Sequence, residues 1–457
     1  MFPIPLPRRW RRRHSVRRPS APLRARPALD QFEDRAAPSA TLVMAGSAPT
    51  GLADYQGTLY FAATTPADGR ELWRTDGSAP QLVADIAAGS ADSAPALLTV
   101  ANGKLYFTAD DGTHGRELWV TDGTTTNMVS DIDVGSGSAA PQNLLNVSGT
   151  LYFTAFDPDH GRELWKVDPT TGEAVLVRDI VRGSESSLVG NLTAVDGRLF
   201  FRANTASRGF ELWKSDGTAA TTRRVRDINP GPSDSSPGSL TNVNGTLFFR
   251  AEDGQHGREL WRSDGTKAGT FMVKDIVPGA GSSSPENLTN VGGAVFFMAG
   301  TAADGLELWR SDGTAAGTNL FLDINPGPGS SSPSLMTEVN GLFYFAANDG
   351  EHGRELWVTD GTLTGTHIVS DIAPGSAGSN PRSLVNVNGT LFFAATTADQ
   401  GEEVWQSSPT AGTSIVDDLN PGPASSNPSW LTASGGKLFF AADSDIDPAS
   451  LWMALPT

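Results

Sequence analysis

The fold is decided by a repeated stretch whose clearest copy, residues 244–276, reads NGTLFFRAEDGQHGRELWRSDGTKAGTFMVKDI. Its short β-branched and aromatic runs, Thr246–Ala251, Glu259–Ser263 and Phe271–Ile276, are typical of strands. Asn-Gly and Asp-Gly pairs stand between the runs and favour tight turns, because these residues tolerate positive φ. The stretch therefore predicts three antiparallel strands, and Leu288–Val291 predicts the first strand of the next unit.

Tryptophan marks the same point in nine successive units, at spacings of 46 to 48 residues. The series is Trp73, Trp119, Trp165, Trp213, Trp261, Trp309, Trp357, Trp405 and Trp452. A fixed period of this length signals a solenoid or a propeller, and four short strands with a longer link describe a propeller blade. We therefore predict an all-β protein in which residues 41–457 form one β-propeller of nine four-stranded blades. The tryptophans are expected to be structural core residues.

The ends of the repeat region suggest how the ring closes. The ninth unit ends after its third strand, Leu451–Met453, and the isolated run Thr41–Met44 before the first unit resembles a fourth strand. A terminal strand that completes the last blade would remove both sheet edges. Nine blades exceed the usual four to eight. Eight blades plus an extra unit, or an open arc, therefore remain alternatives.

The motif around the tryptophan also carries a family resemblance. Glu-Leu-Trp-x-x-Asp-Gly-Thr stands at 211–218, 259–266, 307–314 and 355–362, with variants in the other units. Residues 41–457 resemble the bacterial ELWxxDGT repeat family on this motif. The resemblance implies a secreted or cell-surface protein with propeller-like repeats, and it implies no particular chemistry.

The N-terminal segment, residues 1–40, differs sharply from the repeats. Residues 1–35 carry ten Arg, no Lys and three acids, and six Pro precede residue 28, so we expect a disordered basic tail. Residues 29–39, LDQFEDRAAPS, resemble the LExLEDRxxPS tag found near the start of many large secreted bacterial proteins. Export, a bare disordered tail and a nucleic-acid-binding arm are the alternatives, and the tag favours export.

The charge of the remaining chain limits the kinds of partner that it can bind. The whole chain carries a net charge of −17 and residues 1–35 carry +7, so residues 36–457 carry −24. Such an acidic body repels nucleic acid and anionic membranes. No window approaches 18 consecutive apolar residues, so no transmembrane segment is expected. We expect a monomer, secreted or at the cell surface, with a cytoplasmic location as the alternative and a protein or glycan as the unknown ligand.

Two acidic positions recur in eight units and are interpreted as structural. The Glu before Leu-Trp and the Asp that ends the fourth strand are repeated, whereas catalysis needs one site. We expect each Glu to bind backbone or Ser/Thr groups towards the next blade, because a buried carboxylate must be satisfied. The glutamates are Glu71, Glu117, Glu163, Glu211, Glu259, Glu307, Glu355 and Glu403. The aspartates are Asp85, Asp131, Asp179, Asp227, Asp275, Asp323, Asp371 and Asp418.

Four histidines share another register, in the turn between the second and third strands. They are His114, His160, His256 and His352. Imidazole is a common metal ligand, but four blades cannot bring these rings within a few ångströms of one ion. Calcium needs six to eight oxygens, and each Asp-rich turn offers one or two carboxylates. We therefore predict solvated turn residues, no cofactor and no metal site, with Ca²⁺ as the alternative.

A binding site on a propeller should break the symmetry of the repeat. The candidate binding face carries the four histidine turns, the deviant turn containing Arg208 and Phe210, a second deviant turn around Gln400, and Glu338, interpreted as the only acid within a first strand. Propellers usually bind ligands on such a face or at the channel mouth.

Three functions are compatible with these features. The first is a secreted or surface propeller that acts as a binding or adhesion module without an evident catalytic site. The second is an enzyme acting on extracellular polysaccharide, and the third is a calcium-stabilised structural protein. No P-loop, G-x-S-x-G or H-E-x-x-H motif occurs, which favours the first.

Overall fold

The computed structural model describes residues 39–456. Over that range the chain forms 36 strands in nine four-stranded antiparallel sheets. The predicted tail, residues 1–40, and the tag-like segment, 29–39, lie outside the described residues apart from Ser39 and Ala40.

We number the sheets as blades 1 to 9 and name the strands of each blade first to fourth. Blades 1 to 3 are β2 (Thr50–Tyr55), β3 (Thr58–Thr65), β4 (Gly69–Thr75), β5 (Gln81–Ala84); β6 (Ala96–Ala101), β7 (Lys104–Asp110), β8 (Arg116–Thr121), β9 (Thr126–Ser130); β10 (Gln142–Val147), β11 (Thr150–Asp157), β12 (Gly161–Val167), β13 (Ala174–Arg178). Blades 4 to 6 are β14 (Gly190–Val195), β15 (Arg198–Thr205), β16 (Gly209–Ser215), β17 (Arg223–Arg224); β18 (Gly238–Val243), β19 (Thr246–Ala251), β20 (Glu259–Ser263), β21 (Phe271–Lys274); β22 (Glu286–Val291), β23 (Ala294–Thr301), β24 (Gly305–Ser311), β25 (Asn319–Leu322). Blades 7 to 9 are β26 (Ser334–Val339), β27 (Leu342–Asn348), β28 (Arg354–Thr359), β29 (His367–Ser370); β30 (Arg382–Val387), β31 (Thr390–Thr397), β32 (Gly401–Ser408), β33 (Gly412–Ile415); β34 (Ser429–Ser434), β35 (Lys437–Ala442), β36 (Ser450–Ala454), with β1 (Thr41–Met44) as the fourth strand.

The nine blades form a closed β-propeller. Each first strand contacts the first strands of both neighbouring blades, and β2 of blade 1 contacts β34 of blade 9. The first strands are therefore innermost, around the axis of the ring. The prediction of nine four-stranded blades is confirmed, and the alternatives of eight blades plus a unit or an open arc are wrong.

The closing seam joins the two ends of the repeat region as predicted. Strand β1 pairs antiparallel with β36, placing Thr41 opposite Met453, Leu42 opposite Trp452 and Met44 opposite Leu451. The Ala48 N–H donates to the Ala449 carbonyl at 2.7 Å, as the corresponding residues of consecutive blades do. Near the axis, the Ser434 hydroxyl donates to Asp54 at 2.6 Å.

The core lies between the blades. In every blade a Phe on the second strand stands opposite the repeated Trp on the third, as Phe249 does opposite Trp261. Both residues pack in one cluster with Phe200 and Leu212 of the preceding blade. The tryptophans thus fill the space between neighbouring sheets. Burial of this apolar surface stabilises the blades, because a few strands without such packing are only marginally stable in water.

The chain direction gives the ring two distinct faces. The loop face carries the turns between second and third strands, such as 252–258, and the connections between blades, such as 275–285. The hairpin face carries the turns between first and second strands, such as Asn244-Gly245, and those between third and fourth strands, such as 264–270. Asn244 and Gly245 have φ of 48° and 81°, as the Asn-Gly signal predicts.

Candidate functional site

The repeated glutamates hold the connections between blades. Glu259 is fully buried and accepts hydrogen bonds from the N–H groups of Ile276, Val277 and Ser283, at 3.1, 3.3 and 3.0 Å. The Ser283 hydroxyl donates to the same carboxylate at 2.5 Å. All eight glutamates are fully buried and accept from the connection in this way. Their charge is thus committed to backbone donors and does not face a ligand.

Burial raises the pKa of all eight carboxyl groups. Burial raises the pKa of Glu117 to about 7, and it does the same for Glu163, Glu211 and Glu403. Blade 2 has Ala139 where the other connections have serine, so Glu117 accepts only from backbone N–H groups. The protonation state of these four carboxyl groups therefore changes near neutral pH, although their side chains are buried.

The repeated aspartates also support the connections. Six of them accept a hydrogen bond from the N–H of the glycine four residues later, at 3.0 to 3.3 Å; they are Asp85, Asp131, Asp179, Asp275, Asp323 and Asp418. This contact closes the turn with which each connection begins. Asp227 of blade 4 differs, because it pairs with Arg208 and Arg224 at 2.8 Å each.

The four histidines lie in turns on the loop face, and each is bound to an Asp three residues earlier. The Nδ1 to carboxylate distances are 2.7, 2.9, 3.0 and 2.7 Å for His114, His160, His256 and His352. The hydrogen bond to the Asp side chain raises the pKa of each imidazole. The histidines therefore stabilise their own turns, and the structure does not bring them together.

The deviant turn of blade 4 is rigidly held on the loop face. Arg208 is half exposed and forms its ion pair with Asp227. The Phe210 ring lies under the Arg202 guanidinium, 5.1 Å from ring centre to cation, which is a cation–π contact. Both predicted residues are thus on the predicted face, engaged with neighbours in their own blade.

Glu338 requires two corrections. It lies near the end of β26 and accepts a hydrogen bond from the Gly341 N–H of the adjoining hairpin at 2.5 Å, which places it on the hairpin face and not with the histidines. It is also not the only acid in a first strand, because Asp54 and Glu286 lie in β2 and β22. Glu338 stands where other blades use Asn for the same turn contact, as Asn146 and Asn386 do.

The sequence interpretation missed a ring of strained positions on the innermost strands. The second residue of every first strand has a positive φ, between 51° and 65°. Around the ring these residues are Gly51, Leu97, Asn143, Asn191, Ser239, Asn287, Leu335, Ser383 and Trp430. Positive φ is ordinary for Gly and tolerated by Asn, but it is an outlier for large side chains.

Three members of this ring are large, apolar and exposed. Leu97, Leu335 and Trp430 have 48%, 43% and 50% of their surfaces in solvent. They lie near the start of the first strands, at the loop-face end of the blades. Because the first strands are innermost, these exposed side chains lie beside the axial opening. The available signal was Trp430, one of two tryptophans outside the repeat series.

A cavity of about 690 Å³ adds a second asymmetric feature to the loop face. It lies between the connection of blade 7 and the turn of blade 8, where Ile372, Gln400 and Trp405 contribute to its walls. Gln400 belongs to the second deviant turn noted in the sequence.

The described range, 39–456, holds neither a cluster of metal-ligating side chains nor a membrane-spanning helix. No three His, Asp or Glu side chains in it come together as a metal site. No helix in the same range is long and apolar enough to cross a membrane.

Comparisons with known proteins support a propeller repeat. Residues 52–255 match the family model described as outer membrane protein assembly factor BamB, which covers less than half of the chain. A comparison with curated proteins returned no match.

Solved structures similar to this chain include a β-propeller domain. The computationally designed Ika8 protein is 16% identical, with 78% of this chain and 95% of that chain covered and a TM-score of 0.44. The β-propeller domain of the trilobed protease from Pyrococcus furiosus is 9% identical, with coverage of 83% and 100% and a TM-score of 0.42. A puromycin hydrolase is 12% identical, with coverage of 86% and 58% and a TM-score of 0.40. These likenesses concern the fold alone.

Proposed function

We propose that this chain is a secreted or cell-surface binding module that engages a neutral glycan at the loop-face mouth of the axial opening. The observation that carries the proposal is Trp430, half exposed at a φ of 55° and the one aromatic residue among the nine residues of this ring. Backbone strain of this kind costs on the order of 1 kcal/mol or more and persists where the surroundings or the function require it.

The chemistry of the ring favours a sugar ligand. All nine ring residues are uncharged. The adjoining charges of Glu286 and Arg382 are paired with Arg250 and Glu402. Trp430 presents a flat aromatic surface, and Asn143, Ser239 and Ser383 supply neutral amide and hydroxyl groups at equivalent positions. An indole face packs against the C–H groups of a pyranose, while amides and hydroxyls match sugar hydroxyl groups.

The export part of the proposal rests on resemblance. The Glu-Leu-Trp-x-x-Asp-Gly-Thr motifs resemble a family of secreted or surface repeat proteins, and residues 29–39 resemble an export tag. The partial match to the BamB family model, a factor of outer membrane protein assembly, also favours a module that works by binding. The acidic repeats, at −24, would limit adhesion to anionic surfaces.

A glycan array screened with the full chain tests the proposal, with an activity assay on any polysaccharide that binds. The key variant is Trp430→Ser, because Ser239 and Ser383 occupy the equivalent positions and the blade tolerates serine there. We expect binding without turnover by the wild type and at least a tenfold loss in Trp430→Ser, with an unchanged melting temperature. The matched control is Leu363→Thr, an exposed apolar residue on the hairpin face, which should bind normally.

Three outcomes would overturn the proposal. Turnover of the bound polysaccharide would indicate an enzyme. Equal binding by the wild type and Trp430→Ser would place the ligand elsewhere. Capture of a purified surface protein in place of any glycan would make the module a protein adhesin.

A further inference from the structure

Blade 4 carries a row of three cations on its hairpin-face end. Lys214 on β16 stands directly opposite Arg223 on the neighbouring strand β17. On the other neighbouring strand, β15, Lys214 stands opposite Phe200. Arg198 is the first residue of β15, two residues before Phe200. Side chains two residues apart share a face of the sheet. The three cations therefore project from the same face of blade 4, towards blade 5.

These cations lack a close counter-ion among the described residues, although Asp264 and Asp216 attract Lys214 from beyond ion-pair distance. None of the three forms an ion pair or a side-chain hydrogen bond within residues 39–456. Other arginines of the same blade are engaged, as Arg208 and Arg224 are with Asp227. Burial, together with repulsion from Arg223 and Arg198, lowers the pKa of Lys214.

The three cations border a cavity of about 270 Å³. Ser215, Asp216 and Thr221 complete its polar wall. Asp216 is the one carboxylate there, and it accepts hydrogen bonds from the hydroxyls of Thr218 and Thr221. Three positive charges and one negative charge thus surround a space large enough for a tetrahedral anion.

The row occurs in blade 4 alone among the nine blades. A cation also stands at the Lys214 position in blades 1, 3, 5 and 6, but only blade 4 has a second cation opposite it. Blades 2 and 7 have Val120 and Val358 at the Lys214 position. At the Arg223 position blades 2 and 6 have Asn127 and Asn319. Like charges placed opposite each other destabilise an antiparallel pair. The fold therefore does not require the cations, and their presence costs stability in the absence of an anion.

The surrounding sector attracts anions to an otherwise acidic molecule. Residues 198–274 contain twelve of the 24 Lys and Arg residues that follow residue 35, against eight Asp and Glu residues. The positive potential is thus concentrated in blades 4 and 5, where it would raise the local concentration of an anionic ligand.

We propose that Arg198, Lys214 and Arg223 form a binding site for a phosphate or sulfate group. Arg198 and Arg223 can each donate two parallel N–H bonds to a tetrahedral oxyanion, and Lys214 supplies a compact point charge between them. The site lies on the hairpin face, at the opposite end of the blades from Trp430, and is independent of the glycan proposal.

The test compares the full-length chain with the triple variant R198T/K214V/R223N. Each new residue already stands at the equivalent position of another blade, at Thr246, Val358 and Asn319, so the variant should fold. Calorimetric titrations at constant ionic strength use inorganic sulfate, inorganic phosphate, a sulfated hexasaccharide and its unsulfated counterpart. We expect the wild type to bind at least one anionic probe and the triple variant to bind it at least tenfold more weakly.

Two further readouts separate a binding site from a general charge effect. Without anions the triple variant should melt at the same temperature as the wild type or higher, because the repulsion is removed. The single variant Lys214→Val should weaken binding, whereas Arg310→Val, at the equivalent position of blade 6, should not.

The source of the anion follows from the same titrations. If the sulfated hexasaccharide binds more tightly than sulfate, the site recognises a sulfate group carried by a larger ligand. If the two bind equally, the site recognises the free ion. The proposal fails if the wild type and triple variant bind all probes alike, if Lys214→Val and Arg310→Val weaken binding equally, or if the anion-free triple variant melts well below the wild type.

Discussion

At the scale of the residue, the charged side chains of this protein include some that hold the fold together and others that are left for a ligand to bind. The eight repeated glutamates are buried and satisfied by backbone donors, whereas Arg198, Lys214 and Arg223 have no described partner. Repetition distinguishes the two kinds, because a residue that serves the blade recurs in every blade. A residue that serves a ligand needs to occur once.

The buried carboxyl groups predict how stability depends on pH. The pKa of Glu117 in the folded chain, about 7, exceeds its ordinary value of 4.5. The folded state then binds the proton more tightly than the unfolded state, so the free energy of unfolding falls as pH rises from about 4.5 to 7. The histidines act in the same direction above pH 6.5, because their raised pKa values favour the protonated form in the folded chain.

Urea unfolding at pH 5, 6, 7 and 8 checks this prediction. We expect the midpoint to be highest at pH 5 and to fall steadily to pH 8. Carbon NMR of labelled glutamate side chains should show resonances that titrate near pH 7. A midpoint that is constant or rises over this range would contradict the prediction.

At the scale of the element, each connection between blades is held by its buried Glu, to which a serine hydroxyl donates beside the backbone N–H groups, as Ser283 does to Glu259. Blade 2 lacks the serine, since Ala139 stands in its place. We predict that Ala139→Ser adds a hydroxyl bond to Glu117 and stabilises the chain by about 1–2 kcal/mol, the usual size for a hydrogen bond to a charged group. The reciprocal change, Ser283→Ala, should destabilise it by a similar amount.

Urea unfolding at pH 8, where Glu117 is ionised, measures both changes. Ser282→Ala, which alters a neighbouring serine outside the Glu259 contact, is not neutral because its hydroxyl accepts from the Arg258 N–H. The better control is Ser136→Ala, because Ser136 is exposed in the connection of blade 2 and its hydroxyl makes no hydrogen bond to the described residues. A loss of stability in Ala139→Ser would mean that blade 2 cannot accommodate the hydroxyl.

The elements were largely predictable from local sequence, and the site was not. The aromatic runs and the Asn244-Gly245 signal specify strands and hairpins, because both preferences act over a few residues. The ring of positive-φ residues was not predicted, because Leu335 and Trp430 do not favour positive φ. A β-bulge in the pairing of the first strand with the second strand imposes this conformation at both residues. Glu338 was misplaced for a related reason, because its role is set by a turn contact that other blades make with Asn.

At the scale of the whole molecule, one short strand converts an arc into a ring. Strand β1 supplies the fourth strand of blade 9, and Ser47 lies buried beside it with its carbonyl accepting from the Thr64 N–H at 2.9 Å. The pairing of β1 with β36 joins residues about 400 positions apart in sequence. Closure of such a long loop is entropically costly, but the cost grows only slowly with length.

Two deletions test the role of this strand. Removing residues 1–35 takes away none of the described residues, and we expect an unchanged melting temperature and a monomer. Removing residues 1–47 also deletes β1 and Ser47, so β36 loses its pairing partner. An unpaired apolar strand at a sheet edge aggregates, and we expect a lower melting temperature with oligomers in size-exclusion chromatography.

A peptide of residues 39–48 added in trans provides the deciding control. If β1 acts by pairing with β36, the peptide should add to the open edge and restore both the melting temperature and the monomer. A scrambled peptide of the same composition should not. If the chain lacking residues 1–47 were as stable and monomeric as the full chain, the ring would be held by the first-strand contacts of β2 and β34 alone. The closing strand would then be dispensable.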